Sequence, residues 1–203
     1  MAFKNIKIGI VNYGSGNINS LISALTLHDF YVLYSDSLKT LKKCDLIILP
    51  GVGSFAEAIN HLKKKNLDQF LIEYSNKRPI IGICLGMQLL ATSSNENGYH
   101  EGLNLIPGNV TRLSKNLYHT GWNTIKCNKR SIFREFNKKE FYFNHAYAYS
   151  NKCKYITGQT KTNFEIASIV EKENIFGIQF HPEKSQLNGK LFISKSIQYL
   201  LNA

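Results

Sequence analysis

Cys84 stands where a nucleophile would be built, in the stretch Pro79-Ile-Ile-Gly-Ile-Cys-Leu-Gly-Met-Gln-Leu-Leu90. An apolar strand runs into the cysteine and a helical pattern leaves it at once, with Gly82 and Gly86 at minus two and plus two. Small residues at those positions allow a strained strand-to-helix corner that exposes the side chain at the carboxyl end of a sheet. The amides that open the helix, Leu85 first, then face the reacting centre and favour a thiolate and a later oxyanion. A buried cysteine beside two packing glycines has the same spacing, so the corner alone does not decide.

A second stretch, Gly177-Ile-Gln-Phe-His-Pro-Glu-Lys-Ser185, carries a base and a carboxylate two residues apart. On an extended strand His181 and Glu183 project to the same side, and Pro182 between them suits a frayed strand edge. A cysteine nucleophile needs a base to take its proton and return it to a leaving amine. The base in turn needs a carboxylate to hold its tautomer and stabilise the imidazolium. Cys84, His181 and Glu183 supply all three, although a histidine near a carboxylate is also what a surface ion pair looks like. In a third piece, Leu49-Pro-Gly-Val-Gly-Ser-Phe55, the glycines let the backbone present the Val52 amide to a developing negative oxygen. A simple βα turn reads identically.

The elements that must position these groups alternate along the first half. Strands are expected at 6–11, 31–34, 46–49 and 80–83, and helices at 18–27, from 55 to about 74, and from 85 to about 91. Such alternation predicts βαβ units around a parallel sheet. After Gly98 the pieces read as antiparallel: 109–113, 122–126, 140–145 and 155–159, then 166–170 and 175–180 joined by the polar turn Glu171-Lys-Glu-Asn174. A helix from about 189 to 201 ends the chain. The expected architecture is one α/β domain over residues 1–203, a mostly parallel sheet flanked by helices with an added antiparallel β region in the second half.

Composition removes other classes. With 203 residues, 43% hydrophobic and 19% charged, the chain is ordinary for a globular protein and unlike disordered or coiled-coil sequences. The longest apolar runs fall far short of a bilayer span, and the N-terminus lacks the pattern of a signal peptide, so neither membrane insertion nor export is expected and the cytoplasm is. Cys44, Cys84, Cys127 and Cys153 are widely separated, without metal-ligand spacing, and are expected as free thiols with no metal bound. Lys and Arg exceed Asp and Glu to give a net charge of +11. The lysines are scattered without a basic helix or an aromatic cluster, so nucleic-acid binding is not expected. The Lys63-Lys64-Lys65 run reads as the solvated end of a helix.

Gly82-Ile-Cys-Leu-Gly-Met-Gln88 together with His181-Pro-Glu183 resembles the class I (triad) glutamine amidotransferases, whose fold is flavodoxin-like. Within that class the chain is similar to the glutaminase subunits of imidazole glycerol phosphate synthases. The similarity lies in Tyr13-Gly-Ser-Gly-Asn17, Pro50-Gly-Val-Gly-Ser-Phe55, Gly102-Leu-Asn-Leu-Ile-Pro-Gly108, His119-Thr-Gly-Trp-Asn123, Phe141-Tyr-Phe-Asn-His145 and Gln179-Phe-His-Pro-Glu-Lys-Ser185, and covers essentially the whole chain. The resemblance implies that Cys84 attacks the glutamine carboxamide, with His181 shuttling protons and Glu183 orienting it. It implies Gln88, His145 and Tyr147 as substrate-binding positions, and Val52 and Leu85 as the oxyanion amides. It further implies a heterodimer with a (β/α)8 cyclase that receives the ammonia for histidine biosynthesis, with Asn17, Trp122, Asn123 and Tyr142 near the interface, and no cofactor. Relatives of this subunit also supply ammonia to amidotransfer on surface-polysaccharide sugars, which is the alternative. The chain departs from the family at Asn12, where many members carry Asp, and at Tyr118, where many carry Pro. It departs again at Asn144 and Ala146, where Val and Ser or Thr are frequent.

Overall fold

The computed structural model describes residues 6–14, 18–26, 30–115, 117–163 and 165–202. Its first half alternates as expected: β1 (Lys7–Val11), α1 (Ile18–Thr26), β2 (Tyr31–Ser35), a single turn α2 (Leu38–Leu41), β3 (Leu46–Leu49), α3 (Phe55–Lys64), α4 (Leu67–Ser75), β4 (Ile80–Ile83) and α5 (Leu85–Leu89). The second half holds β5 (Ser93–Ser94), β6 (His100–Glu101), β7 (Asn109–Arg112), β8 (His119–Cys127), β9 (Glu140–His145), β10 (Tyr147–Tyr149), β11 (Ile156–Lys161), β12 (Glu165–Lys172), β13 (Ile175–Ile178) and α6 (Gln186–Asn202).

Nine strands form one sheet in the order β2-β1-β3-β4-β13-β12-β11-β8-β9. The first five are parallel to one another, and from β13 onward each neighbour is antiparallel. The antiparallel region therefore continues the parallel sheet edge to edge. A second sheet, β10-β7-β5-β6, lies beside it and escaped the sequence reading because three of its strands have two or three residues.

Strands β3, β4 and β13 are buried at every position, as parallel strands covered on both faces must be. Their side chains alternate between two cores. Ile47, Leu49 and Ile80 meet α3, α4 and α5 through Phe55, Leu62, Leu71 and Met87. Ile48, Ile81 and Ile83 meet α1 and α6 through Leu21, Leu25, Ile193 and Ile197. The second core ends in packed aromatic rings, with Phe141 tilted against Phe180 at 4.2 Å and Phe133 stacked on Phe192 at 4.3 Å between centroids.

Two of the differences from expectation change how elements are connected. The helix expected over 55–74 is two helices, because Asn66 adopts the left-handed conformation at φ 54° and turns the chain. Asparagine tolerates that region better than most residues. Lys63, Lys64 and Lys65 are exposed at the carboxyl end of α3, where positive charge is favoured. In the β12–β13 hairpin Lys172 pairs with Ile175, so the turn shortens to Glu173-Asn174, with Glu173 at φ 54°. No helix among the described residues is long and apolar enough to cross a membrane.

Candidate active site

Cys84 sits between β4 and α5 with φ 53° and ψ −109°. A side chain in that region costs about 1–3 kcal/mol and persists only where the surroundings enforce it. Here they do. The Cys84 amide donates to the Ile178 carbonyl at 2.7 Å, and its carbonyl accepts from the Gln88 amide at 3.2 Å. A Cβ at Gly82 would lie 2.7 Å from the Gly86 carbonyl oxygen, and one at Gly86 would run into the Leu49 backbone. Both glycines are therefore required by close backbone approach, as the corner reading demands.

The Pro50–Gly53 loop is more than a connection. The Tyr13 hydroxyl donates to the Pro50 carbonyl, and Val52 and Leu85 line the cavity that holds Cys84.

His181 and Glu183 are brought together by a different route from the one expected. Strand β13 ends at Ile178, and Pro182–Lys184 forms a 3₁₀ turn. The His181 amide bonds the Tyr142 carbonyl of β9 at 2.9 Å, and the buried Ser185 hydroxyl donates to the His181 carbonyl at 2.6 Å. The turn folds the carboxylate back, so that His181 Nδ1 donates to Glu183 Oε1 at 2.8 Å. The ion pair is buried, with the His181 side chain 2% exposed and that of Glu183 9%.

Nδ1 being committed, Nε2 is left for Cys84. It forms no hydrogen bond within the protein and lies within electrostatic reach of the cysteine sulfur. Burial works against a charged imidazole, but the Cys84 sulfur and the Glu183 carboxylate outweigh it and raise the His181 pKa to about 10. The rise depends on the sulfur carrying the charge, so the two groups exchange one proton and titrate as a pair.

Cys84 opens into a cavity of about 280 Å³. Hollows of about 360 and 420 Å³ elsewhere have no Cys or His in their walls, so volume alone does not choose the site. One wall of the Cys84 cavity is a chain of hydrogen bonds. Gln88 Nε2 donates to the Tyr147 carbonyl at 2.8 Å and to Gln179 Oε1 at 3.2 Å. The same Tyr147 carbonyl accepts from His145 Nδ1 at 2.8 Å. His145 Nε2 must then be an acceptor, and it pairs with His119 Nδ1 at 2.9 Å. Burial lowers the pKa of His119 and takes that of His145 to about 3, so both rings are neutral.

Glu96 also lines the cavity, the sole carboxylate to do so among the described residues, and its Oε2 accepts from the Phe55 amide at 2.9 Å. Sequence reasoning missed Glu96, a lone acid in Ser-Ser-Asn-Glu-Asn-Gly with no motif around it. It also missed roles for Gln179 and His119, although both lie inside motifs already singled out. Among the described residues no cluster of three or more His, Cys, Asp or Glu is arranged to hold a metal ion.

Comparison with known proteins agrees with this geometry. The Glutamine amidotransferase class-I family matches residues 10–197. The chain belongs to that family. It is 37% identical over 202 residues to imidazole glycerol phosphate synthase subunit HisH of Sulfurimonas denitrificans, covering 95% of this chain and 98% of that one. It is 38% identical over 197 residues to the subunit of the same name from Methanocaldococcus jannaschii, covering 95% and 100%. Among solved structures, PurLQS from Thermotoga maritima superposes with a TM-score of 0.76 at 19% identity, over 96% of this chain and 99% of that chain, a likeness of fold.

In this amidotransferase Tyr118, Asn144 and Ala146, three of the positions read from the sequence as departing from the family pattern, all line the Cys84 cavity. Asn12 lies apart from it, where its Oδ1 accepts from the Gly14 amide and the Tyr34 hydroxyl at 3.3 and 2.8 Å. Of the four expected interface residues, Trp122 and Tyr142 pair across β8 and β9, their rings edge-on at 6.1 Å, with Asn123 beside them. Trp122 is 45% exposed, and Lys184 Nζ sits 5.7 Å above the Tyr142 ring. Strand β9 is the last strand of the nine-stranded sheet, and at Tyr142 its outer side is bridged by His181. Asn17 lies outside the described residues.

Proposed function

We propose that this amidotransferase is the glutaminase subunit of an imidazole glycerol phosphate synthase, with Cys84, His181 and Glu183 as its catalytic triad. The pathway assignment is supported by identities of 37 and 38% to subunits of that name over nearly the whole chain. The chemistry rests on one observation above the rest: a buried histidine, locked by Glu183, whose free nitrogen is left for a cysteine on a strained corner.

Glutamine enters the cavity with its α-ammonium at Glu96 and its carboxamide at Cys84. Gln88, His145 and Tyr147 form the wall that aligns it. The Cys84 thiolate, its proton on His181, attacks the carboxamide carbon, and the oxygen becomes negative against the Val52 and Leu85 amides. His181 gives its proton to the departing nitrogen, so ammonia leaves and a glutamyl thioester remains. A water molecule, deprotonated by His181, attacks the thioester, and glutamate and free Cys84 result. Glu183 keeps Nδ1 protonated and stabilises the imidazolium throughout.

The ammonia passes to a (β/α)8 cyclase docked on the face that carries Trp122, Asn123 and Tyr142, in the cytoplasm, as histidine biosynthesis requires. Glutamate release measured with the histidine-pathway cyclase of the same organism, with and without its phosphoribulosyl ligand, tests the assignment. Strong ligand-dependent stimulation is expected. No stimulation, with Cys84 still open to labelling by a glutamine analogue, would reassign the ammonia to another acceptor such as a polysaccharide sugar.

A further inference from the structure

Gln179 is completely buried, two residues before His181, and takes no part in the triad chemistry. Its backbone amide bonds the Ser168 carbonyl at 2.9 Å, which carries the β12–β13 pairing one residue past β13 and holds the side chain beneath the elbow. A buried carboxamide must find partners at both ends or destabilise the fold. Gln179 has them: Oε1 accepts from Gln88 Nε2 at 3.2 Å, and Nε2 points at Cys84 Sγ at 3.7 Å.

Which end faces the sulfur follows from a group that cannot flip. The Tyr147 carbonyl is only an acceptor, so the Gln88 carboxamide must turn its nitrogen toward it. The second proton of that nitrogen then meets Gln179, which must present its oxygen. The Gln179 nitrogen is left facing the sulfur. His145 Nδ1 and, behind it, His119 hold the Tyr147 carbonyl in place, so the whole sequence of donors has one polarity. On another side of the sulfur the Asn144 carbonyl lies at 4.0 Å and can accept only from a protonated thiol.

From this arrangement we propose that Gln179 is a further catalytic group, whose side-chain N–H donates to the Cys84 sulfur and favours the thiolate over the thiol held by the Asn144 carbonyl. The proposal rests on Cys84 being the nucleophile. When the sulfur gives its proton to His181 Nε2, the thiolate gains the Gln179 donor and loses its bond to Asn144. The buried chain from His119 to Gln88 maintains the orientation of that donor.

The test uses the full-length chain and its Gln179→Met and Gln179→Leu variants, which fill the space without a donor. The rate of Cys84 alkylation by iodoacetamide is followed from pH 5 to 9, with the modified residue identified by mass spectrometry. The acid limb, which belongs to the Cys84–His181 pair as a unit, is expected to move up by about one pH unit, a roughly tenfold loss of rate well below its midpoint. Turnover of glutamine should fall with KM within about twofold. A purely structural role would leave the limb where it is.

A second measurement needs no variant. The side-chain amide protons of Gln179 in the wild-type nuclear magnetic resonance spectrum should shift along the same titration and on alkylation of Cys84. Folded variants with the wild-type acid limb, or amide protons that do not respond, would overturn the proposal. A wild-type Cys84 that is neither reactive nor protected by glutamine would instead remove the nucleophile assignment beneath it.

Discussion

Acidification should unlock the wall of the Cys84 cavity through His145. Both its nitrogens are in use: Nδ1 donates to the Tyr147 carbonyl and Nε2 accepts from His119. Burial disfavours a charge there, and His119 and His181 act in the same direction, so the folded pKa is about 3 against 6.5 for a free imidazole. The unfolded chain therefore binds this proton more readily than the folded one. Stability from the neutral ring is complete above pH 6.5 and is lost as the pH falls toward 3. Each unit is worth about 1.4 kcal/mol, so between pH 7.5 and 5 the loss is about 2 kcal/mol. Urea unfolding of wild type and His145→Gln at pH 7.5, 6 and 5 isolates the effect, because the carboxylates titrate in both. The stability difference between them should shrink by about 2 kcal/mol on going to pH 5. Parallel pH dependences in the two chains would refute the neutral, tautomer-fixed His145.

Three further expectations concern the site and its surface. Glu183→Gln keeps an acceptor for His181 Nδ1 but removes its charge, worth ~1.5–3 kcal/mol as a charge-assisted bond, so kcat should fall about 10- to 100-fold with KM nearly unchanged. Steady-state kinetics that show wild-type kcat would reduce Glu183 to a bystander. Glu96→Gln should raise KM for glutamine about 30-fold, the equivalent of roughly 2 kcal/mol lost from a bond to the substrate ammonium; an unchanged KM would place the ammonium elsewhere. Trp122→Ala should weaken cyclase binding by about 2 kcal/mol, as truncation of a central interface aromatic does, without altering Tm; calorimetry that gives an unchanged Kd would move the docking face away from β8 and β9.

The corner around Cys84 was legible because close packing of backbone against backbone leaves a fixed trace, glycines at 82 and 86 around an apolar strand. Strands β3, β4 and β9 matched their expected limits for a related reason, since continuous burial or strict alternation is written residue by residue. Asn66 broke the helix expected over 55–74 because one left-handed residue turns the chain without disturbing the apolar periodicity on either side. The His181–Glu183 pair was anticipated, but as two positions on a strand; the 3₁₀ turn is set by Ser185 and by the bridge to Tyr142, contacts that local spacing does not encode. Glu96 and the His119–His145 chain were not legible, since they become neighbours of the cavity only when the small sheet and β8–β9 are assembled.

Mass spectrometry of the chain after exposure to a diazo-ketone analogue of glutamine bears most directly on Cys84 as the glutamine-attacking nucleophile. One adduct per chain is expected, on Cys84, suppressed by excess glutamine and absent from Cys84→Ala. Labelling that spreads over Cys44, Cys127 or Cys153, or that glutamine fails to suppress, would contradict the assignment.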